Sequence, residues 1–211
     1  MTPAKRKPPA ASGHTPRHAA ERPVGLRIVG GRFRGRRLHY SGDRRTRPMK
    51  DRLREAVFNL VGPAVVQTHA LDLFAGTGAL ALEALSRGAG QATFIEQHYP
   101  TAEILCRNVA ELGVQEISQV VTANVFAWFR RRPELGPLPW LVFCSPPYDF
   151  YVDRADEMLS LLGGLIESAP AGSLFVLEAD ERFDFGLLPG AHAWDIRRYA
   201  PAKIGIYRKG E

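Results

Sequence analysis

The 211-residue sequence predicts an α/β protein, an open and mostly parallel doubly wound sheet that follows a basic hairpin-and-helix extension. Three observations predict it. From Ala70 onward, short apolar runs alternate with stretches of helical periodicity, the pattern of strands buried on both faces and joined by crossover helices. The first apolar run ends in an acid and a glycine-rich turn, Asp72-Leu-Phe-Ala-Gly-Thr-Gly. The fourth is closed by the rigid tetrapeptide Ser145-Pro146-Pro147-Tyr148.

Taken in order, residues 1–24 are rich in Pro, Ala, Lys, Arg and His with almost nothing to bury, and predict a disordered basic tail. Residues 25–62 predict a hairpin and a helix. Leu26, Ile28 and Val29 suggest one short strand, Gly30-Gly31 a turn, and Phe33 and Leu38 a second strand, with Arg32, Arg34, Arg36 and Arg37 decorating the pair. In TRPMKDRLREAVFNLVG, Pro48 falls near the first helical turn, Leu53, Val57 and Leu60 form an apolar stripe, and Gly62 is a stop. The expected helix has a basic outer face.

Residues 63–211 make the main domain. ALDLF, QATFIEQ, SQVVTAN, WLVFCS and SLFVLEAD read as strands; GALALEALSRG, TAEILCRNVAELG, VFAWFRR and RADEMLSLLGGLIES read as the helices between them. AWDIRRYA and AKIGIYRK resemble a closing antiparallel pair.

Composition narrows the function classes. Cys106 and Cys144 are too few for a disulfide framework, and each lies in an apolar stretch where a free cysteine is expected to be buried. No apolar run approaches the roughly 18 residues of a membrane span, and MTPAKRKPPAASG has no apolar signal core, so a cytoplasmic location is expected. Charge is unevenly spread. Residues 1–62 hold 16 Lys+Arg against 4 Asp+Glu, an excess of +12, whereas residues 63–211 carry a net −6. Such a front segment suits a polyanion, because cations gain affinity for phosphates by releasing condensed counterions.

The glycine turn carries the first chemistry. Ligands of open α/β sheets bind at the carboxyl ends of the strands, and glycines there let the backbone approach a ligand closely. Asp72, Phe74, Ala75, Gly76, Thr77 and Gly78 are therefore the expected cradle of a cofactor. Glu96 ends the second strand 20 residues after Gly76, a spacing that suits an acceptor for ribose hydroxyls, so the cofactor is adenosine-like. Gly76, Gly78 and Ala81 also satisfy the dinucleotide fingerprint, which keeps a nicotinamide oxidoreductase in play. Against it, the anionic end of the strand at Asp72 disfavours a pyrophosphate and favours a cationic sulfonium.

Ser145-Pro146-Pro147-Tyr148 falls at the same sheet edge. Its prolines fix the backbone so that the Ser145 hydroxyl and the Pro146 carbonyl face one place, while Tyr148 offers a ring for a planar base. The six histidines show no metal-ligand spacing, and no metal is expected.

Together the two motifs resemble the S-adenosylmethionine-dependent methyltransferases that modify exocyclic amines of bases. IVGGRFRGRRL, RPMKDRLREAVFNL, LDLFAGTGALALEALSRGA, FIEQ and SPPY, in that order and spacing, are similar to the RsmD family, which makes N2-methylguanine in bacterial small-subunit ribosomal RNA. The resemblance covers about residues 26–180. It implies a Rossmann-like methyltransferase fold, S-adenosylmethionine as cofactor, Ser145, Pro146, Pro147 and Tyr148 as the catalytic set, and Asn124 at the adenine ring. It also implies ribosomal RNA or the assembling small subunit as partner, contacted by Arg32, Arg34, Arg36, Arg37 and Arg47, with the protein acting as a monomer. Two residues depart from that family: Ser145 stands where Asp is usual, and Met49 where Thr is usual. A carboxylate in place of Ser145 is expected to keep or raise turnover, and removal of residues 1–45 is expected to abolish most RNA affinity while sparing the cofactor. The alternative from a different class is a non-enzymatic RNA-binding assembly factor with a vestigial pocket.

Overall fold

The computed structural model describes residues 25–40, 42 and 48–210; the expected tail at 1–24 and Arg47 lie outside these residues. Seven strands make one sheet: β1 (His69–Asp72), β2 (Gln91–Glu96), β3 (Ser118–Thr122), β4 (Trp140–Cys144), β5 (Leu174–Ala179), β6 (Asp195–Tyr199) and β7 (Ala202–Arg208). Their order is β3-β2-β1-β4-β5-β7-β6. The first five are parallel, and β6 and β7 close the sheet antiparallel, as their sequences lead one to expect. Strand order reverses at β1, between β2 and β4, the switch point at whose C-terminal strand ends open α/β sheets bind their ligands.

Helices α1 (Asp51–Val61), α2 (Ala79–Ser86) and α3 (Tyr99–Leu112) cover one face, and α4 (Val125–Arg130), α5 (Phe150–Asp153) and α6 (Ala155–Ser168) the other. The strands alternate between the two cores. In β4, Leu141 and Phe143 join Phe58 and Phe94 on the first face, while Val142 and Cys144 join Leu161 and Leu165 on the second. Both faces are apolar because helices bury both.

The extension belongs to the first core. Leu26, Ile28 and Leu38 are buried among residues of α1 and α2. The hairpin is less regular than its sequence suggests: a single bridge joins Arg27 and Arg37, and Gly31–Phe33 forms a 3₁₀ turn at the tip. Its backbone still closes, with the Ile28 N–H donating to the Arg36 carbonyl at 2.9 Å and the Leu38 N–H to the Leu26 carbonyl at 2.8 Å. Gly31 has φ of 71°, and a Cβ there would stand 2.0 Å from the Ser86 carbonyl oxygen, so the tip is pressed against the end of α2.

Two expectations fail here. The fully buried stripe of α1 is Arg54, Val57, Phe58 and Val61, with Leu53 and Leu60 half-buried against the same core, so the apolar stripe is as expected but one arginine points inward rather than to solvent. Arg54 is fully buried because its charge is met there: it donates to the carbonyls of Met49 and Arg27 and to Asp51, and lies 3.7 Å from Glu83. Met49 serves as a buried carbonyl support for that arginine. Cys106 is exposed, since it lies off the Ala102–Leu105–Val109 stripe of α3, whereas Cys144 is buried in β4.

Candidate active site

At the end of β1 the chain turns through Gly76 (φ 52°) and Gly78 (φ 81°), left-handed conformations that favour glycine. A Cβ on Gly78 would also meet Leu105 Cδ1 at 2.3 Å. The turn is tied down from three sides. The Ala75 N–H donates to the Ile95 carbonyl at 3.0 Å, the Gly76 N–H to Glu96 Oε2 at 2.8 Å, and the Thr77 carbonyl accepts from Asn108 Nδ2 at 3.0 Å. Glu96 also accepts from the His98 N–H at 2.7 Å. It therefore has a structural duty that the sequence did not disclose, holding the turn to the end of β2, and keeps further lone pairs for a ligand.

Asp72 is 1% exposed, and burial above all pushes its carboxyl up to about 7, with nearby Glu96 adding to the rise. Among the described residues it accepts a long hydrogen bond from the Ala81 N–H at 3.4 Å. A buried carboxylate so poorly satisfied is stabilised by an arriving cation, which fits the ammonium and sulfonium of S-adenosylmethionine and does not fit a pyrophosphate. Asn124 spends its carbonyl oxygen as the N-cap of α4, accepting from Phe126 and Ala127 at 3.1 and 3.2 Å, so only its Nδ2, 3.3 Å from Gln97 Oε1, is left to border an adenine.

Phe74 packs edge-on against Phe126 and Phe150, with ring centroids 6.4 and 5.9 Å away, and the Arg154 guanidinium covers the latter two rings. This cluster joins the glycine turn to the segment after Tyr148. Sequence reasoning missed Phe126, Phe150 and Arg154, because aromatic residues at helix starts carry no signal of which strand end they will meet.

The tetrapeptide leaves β4 beside it. Pro146 is buried and Ser145 and Tyr148 are half-buried. Behind them stands Glu178 of β5, the second omission: Ser145 Oγ donates to its Oε2, the Tyr148 hydroxyl to its Oε1 at 2.8 Å, and the Tyr151 hydroxyl to its main-chain carbonyl at 2.9 Å. Cys144 pairs with Leu177, so Ser145 and Glu178 are the next residues in register and share a face.

The expected RNA-contacting arginines are elsewhere. Gly31 and Arg32 line a depression with Gln67, Gly88, Gly90 and Ile117, which precede β1, β2 and β3, so the hairpin tip sits at the N-terminal edge of the sheet, opposite the tetrapeptide. Arg36 donates to the Glu111 carbonyl at 2.8 Å at the end of α3. Arg32, Arg34 and Arg37 are exposed. Among the described residues no group of three or more His, Cys, Asp or Glu could hold a metal ion, and no helix is long and apolar enough to cross a membrane.

A glycine turn with a buried acid at the switch point and a Ser-Pro-Pro-Tyr turn at the neighbouring strand end fit a class, the Rossmann-like methyltransferases that use S-adenosylmethionine. Comparison with known proteins gives the family. The family model described as conserved hypothetical protein 95 matches residues 26–199, and the chain is 38% identical over 186 residues to ribosomal RNA small subunit methyltransferase D of Escherichia coli K12, covering 87% of this chain and 88% of that one. The chain belongs to this RsmD family. Among solved structures, the Escherichia coli putative methyltransferase yhhF superposes with a TM-score of 0.71 at 30% identity, covering 88% of this chain and 98% of that one. The Thermus thermophilus 16S rRNA N2 methyltransferase RsmC, solved in complex with AdoMet and guanosine, shares the fold at TM-score 0.65 and 22% identity, over 88% of this chain and 49% of that one.

Proposed function

We propose that this chain transfers a methyl group from S-adenosylmethionine to the exocyclic N2 amine of a guanine in small-subunit ribosomal RNA, as a cytoplasmic monomer acting on the RNA or on the assembling subunit. The observation that carries this reading is the juxtaposition, at one edge of the sheet, of the glycine turn with its buried acid and of the Ser145–Pro146 acceptors. Named relatives that act on ribosomal RNA support the substrate class.

Bound here, the cofactor supplies an electrophilic methyl group. Asp72 stabilises its positive charge, Glu96 accepts from ribose, and the Phe74, Ala75, Gly76, Thr77 and Gly78 backbone cradles the remainder. Asn124 borders the adenine through Nδ2. The guanine amine is a poor nucleophile because its lone pair is delocalised into the ring, so positioning dominates. Ser145 Oγ and the Pro146 carbonyl accept its two hydrogens and aim the lone pair, geometry worth several kcal/mol of barrier. Tyr148 stacks the extruded base, a contribution of about 1–3 kcal/mol.

Purified protein incubated with labelled S-adenosylmethionine and small-subunit ribosomal RNA from a strain lacking the activity tests the reading. Mass spectrometry of the nucleosides is expected to find N2-methylguanosine. Methyladenosine, or RNA binding with no transfer, would overturn it.

A further inference from the structure

We propose that Glu178 is the positioning and proton-accepting residue of the methyl transfer, acting through the Ser145 hydroxyl. The proposal rests on the reading of the site as an amine methyltransferase and names a part of its machinery outside the Ser-Pro-Pro-Tyr tetrapeptide.

A serine hydroxyl has one hydrogen to donate and two lone pairs to accept with, and on its own it rotates. Here its hydrogen is committed. Ser145 Oγ donates to Glu178 Oε2, so both of its lone pairs are left to accept from a substrate amine. Glu178 is itself held: the Tyr148 hydroxyl donates to its other oxygen at 2.8 Å, and Tyr151, buried and capping the Glu178 main-chain carbonyl at 2.9 Å, fixes the end of β5. The three hydroxyls come from one segment, at Ser145, at Tyr148 three residues on and at Tyr151 six residues on, so one residue organises the whole segment. Strand register makes this unavoidable, because Cys144 lies opposite Leu177 and the next residue of each strand points to the same face.

The arrangement also gives the amine proton a destination. As the amine nitrogen's lone pair forms the N–C bond, the C–S bond breaks and its electron pair stays on sulfur, leaving a thioether and a positively charged nitrogen. That nitrogen then releases one proton to Ser145 Oγ while the hydroxyl proton passes to Glu178 Oε2, which returns it to solvent. Charge is conserved at each stage, and the negative carboxylate favours the positive nitrogen across a single hydroxyl. A neutral serine at this position therefore works with a carboxylate one atom further back.

The test compares wild type, Glu178→Gln, Ser145→Ala, the double variant of these two, and Ser145→Asp/Glu178→Gln. Labelled S-adenosylmethionine and ribosomal RNA lacking the modification serve in single-turnover reactions, with cofactor and RNA affinities measured separately. Glutamine keeps the shape, but it offers a single acceptor oxygen to the Ser145 and Tyr148 hydroxyls and cannot take up a proton. Glu178→Gln is expected to lower the saturated rate roughly 10–100-fold with cofactor and RNA affinities unchanged, the scale of a lost hydrogen bond to a charged group. In the Ser145→Ala background the same substitution should cost less than about threefold, since the coupling element is gone. Ser145→Asp/Glu178→Gln, with its carboxylate moved forward, should recover at least about tenfold over Glu178→Gln. An undiminished rate in Glu178→Gln, an equal loss in both backgrounds, a matching loss of cofactor or RNA affinity, or no recovery in the Asp/Gln variant would each overturn the proposal. If wild type itself transfers no methyl group, the underlying reading of the site falls first; if it does and Glu178→Gln matches it, only the role of Glu178 falls.

Discussion

The two edges of the sheet carry opposite kinds of polar chemistry. At the C-terminal edge, Asp72, Glu96, Ser145, Tyr148 and Glu178 are wholly or partly buried and bound to one another or to backbone N–H groups. At the N-terminal edge, Arg32 and Arg34 stand exposed on a hairpin whose tip is anchored through its backbone: Ser86 Oγ donates to the Gly30 carbonyl at 2.6 Å and accepts from the Phe33 N–H at 2.9 Å. One edge gathers interlinked acids and hydroxyls, and the other carries exposed cations. The separation teaches that a substrate engaging both must extend from edge to edge, which a ribosomal RNA does and a single nucleotide does not.

The strongest way to break the comparison is to unfasten the hairpin from the sheet. Glu83 is fully buried, accepts from the Val29 N–H at 2.7 Å, and pairs with Arg54 and Arg87 at 3.7 and 2.8 Å. Glu83→Ala leaves Arg54 buried with less compensation and should cost about 3–5 kcal/mol of stability in chemical denaturation. The same docking revises the truncation expected from the sequence. Removing residues 1–45 would strip Leu26, Ile28 and Leu38 from the core and so harm cofactor binding too; removal of 1–24 is the clean deletion.

Next in size is Asp72. Its folded carboxyl titrates near 7 against an unperturbed 3.8, so the folded protein binds the extra proton between those values and ligand-free stability falls as pH rises from about 4 to 7. The loss is at most on the order of 4 kcal/mol. Asp72→Asn should abolish that slope in denaturation measurements, while weakening cofactor binding by about 1.5–3 kcal/mol in calorimetry at pH 8. Glu96→Ala should weaken the cofactor by about 1–3 kcal/mol, through lost ribose acceptance and a loosened Gly76 turn. The smallest effect belongs to the other edge. Arg32→Ala/Arg34→Ala should lower RNA affinity at low salt and flatten the logarithmic salt slope by about 1.5–2, with cofactor affinity unchanged.

How far the sequence foretold these regions follows from what each signal encodes. The alternation of strands and helices and the turn after Asp72 were legible because burial on two faces and positive φ both restrict residue type. The antiparallel β6–β7 pair was legible as two adjacent strand-like runs joined by a short turn, although β6 itself is an exposed edge strand. Arg54 was misread because a cation on an apolar stripe looks like an error in the period until Glu83, 29 residues later, arrives to pair with it. Asn124, expected at an adenine ring, also caps α4, a duty that accounts for its oxygen. Glu178 went unnoticed although an acid closing an apolar strand was the signal that exposed Glu96; what the sequence lacks is the register that sets it beside Ser145. That neighbour also alters the expectation for Ser145→Asp, which would place two carboxylates in contact. One of them should hold a proton, and the variant should turn over no faster than wild type.

The division of labour between the edges is tested most directly by one set of single-turnover methyl-transfer curves against RNA concentration, for wild type, Arg32→Ala/Arg34→Ala and Glu178→Gln at the same salt. The arginine variant is expected to reach the wild-type plateau at higher RNA concentration, and Glu178→Gln to reach a plateau roughly 10–100-fold lower at unchanged half-saturation. A lowered plateau in the arginine variant with unchanged half-saturation, or a shift in half-saturation alone for Glu178→Gln, would contradict the assignment of binding to one edge and chemistry to the other.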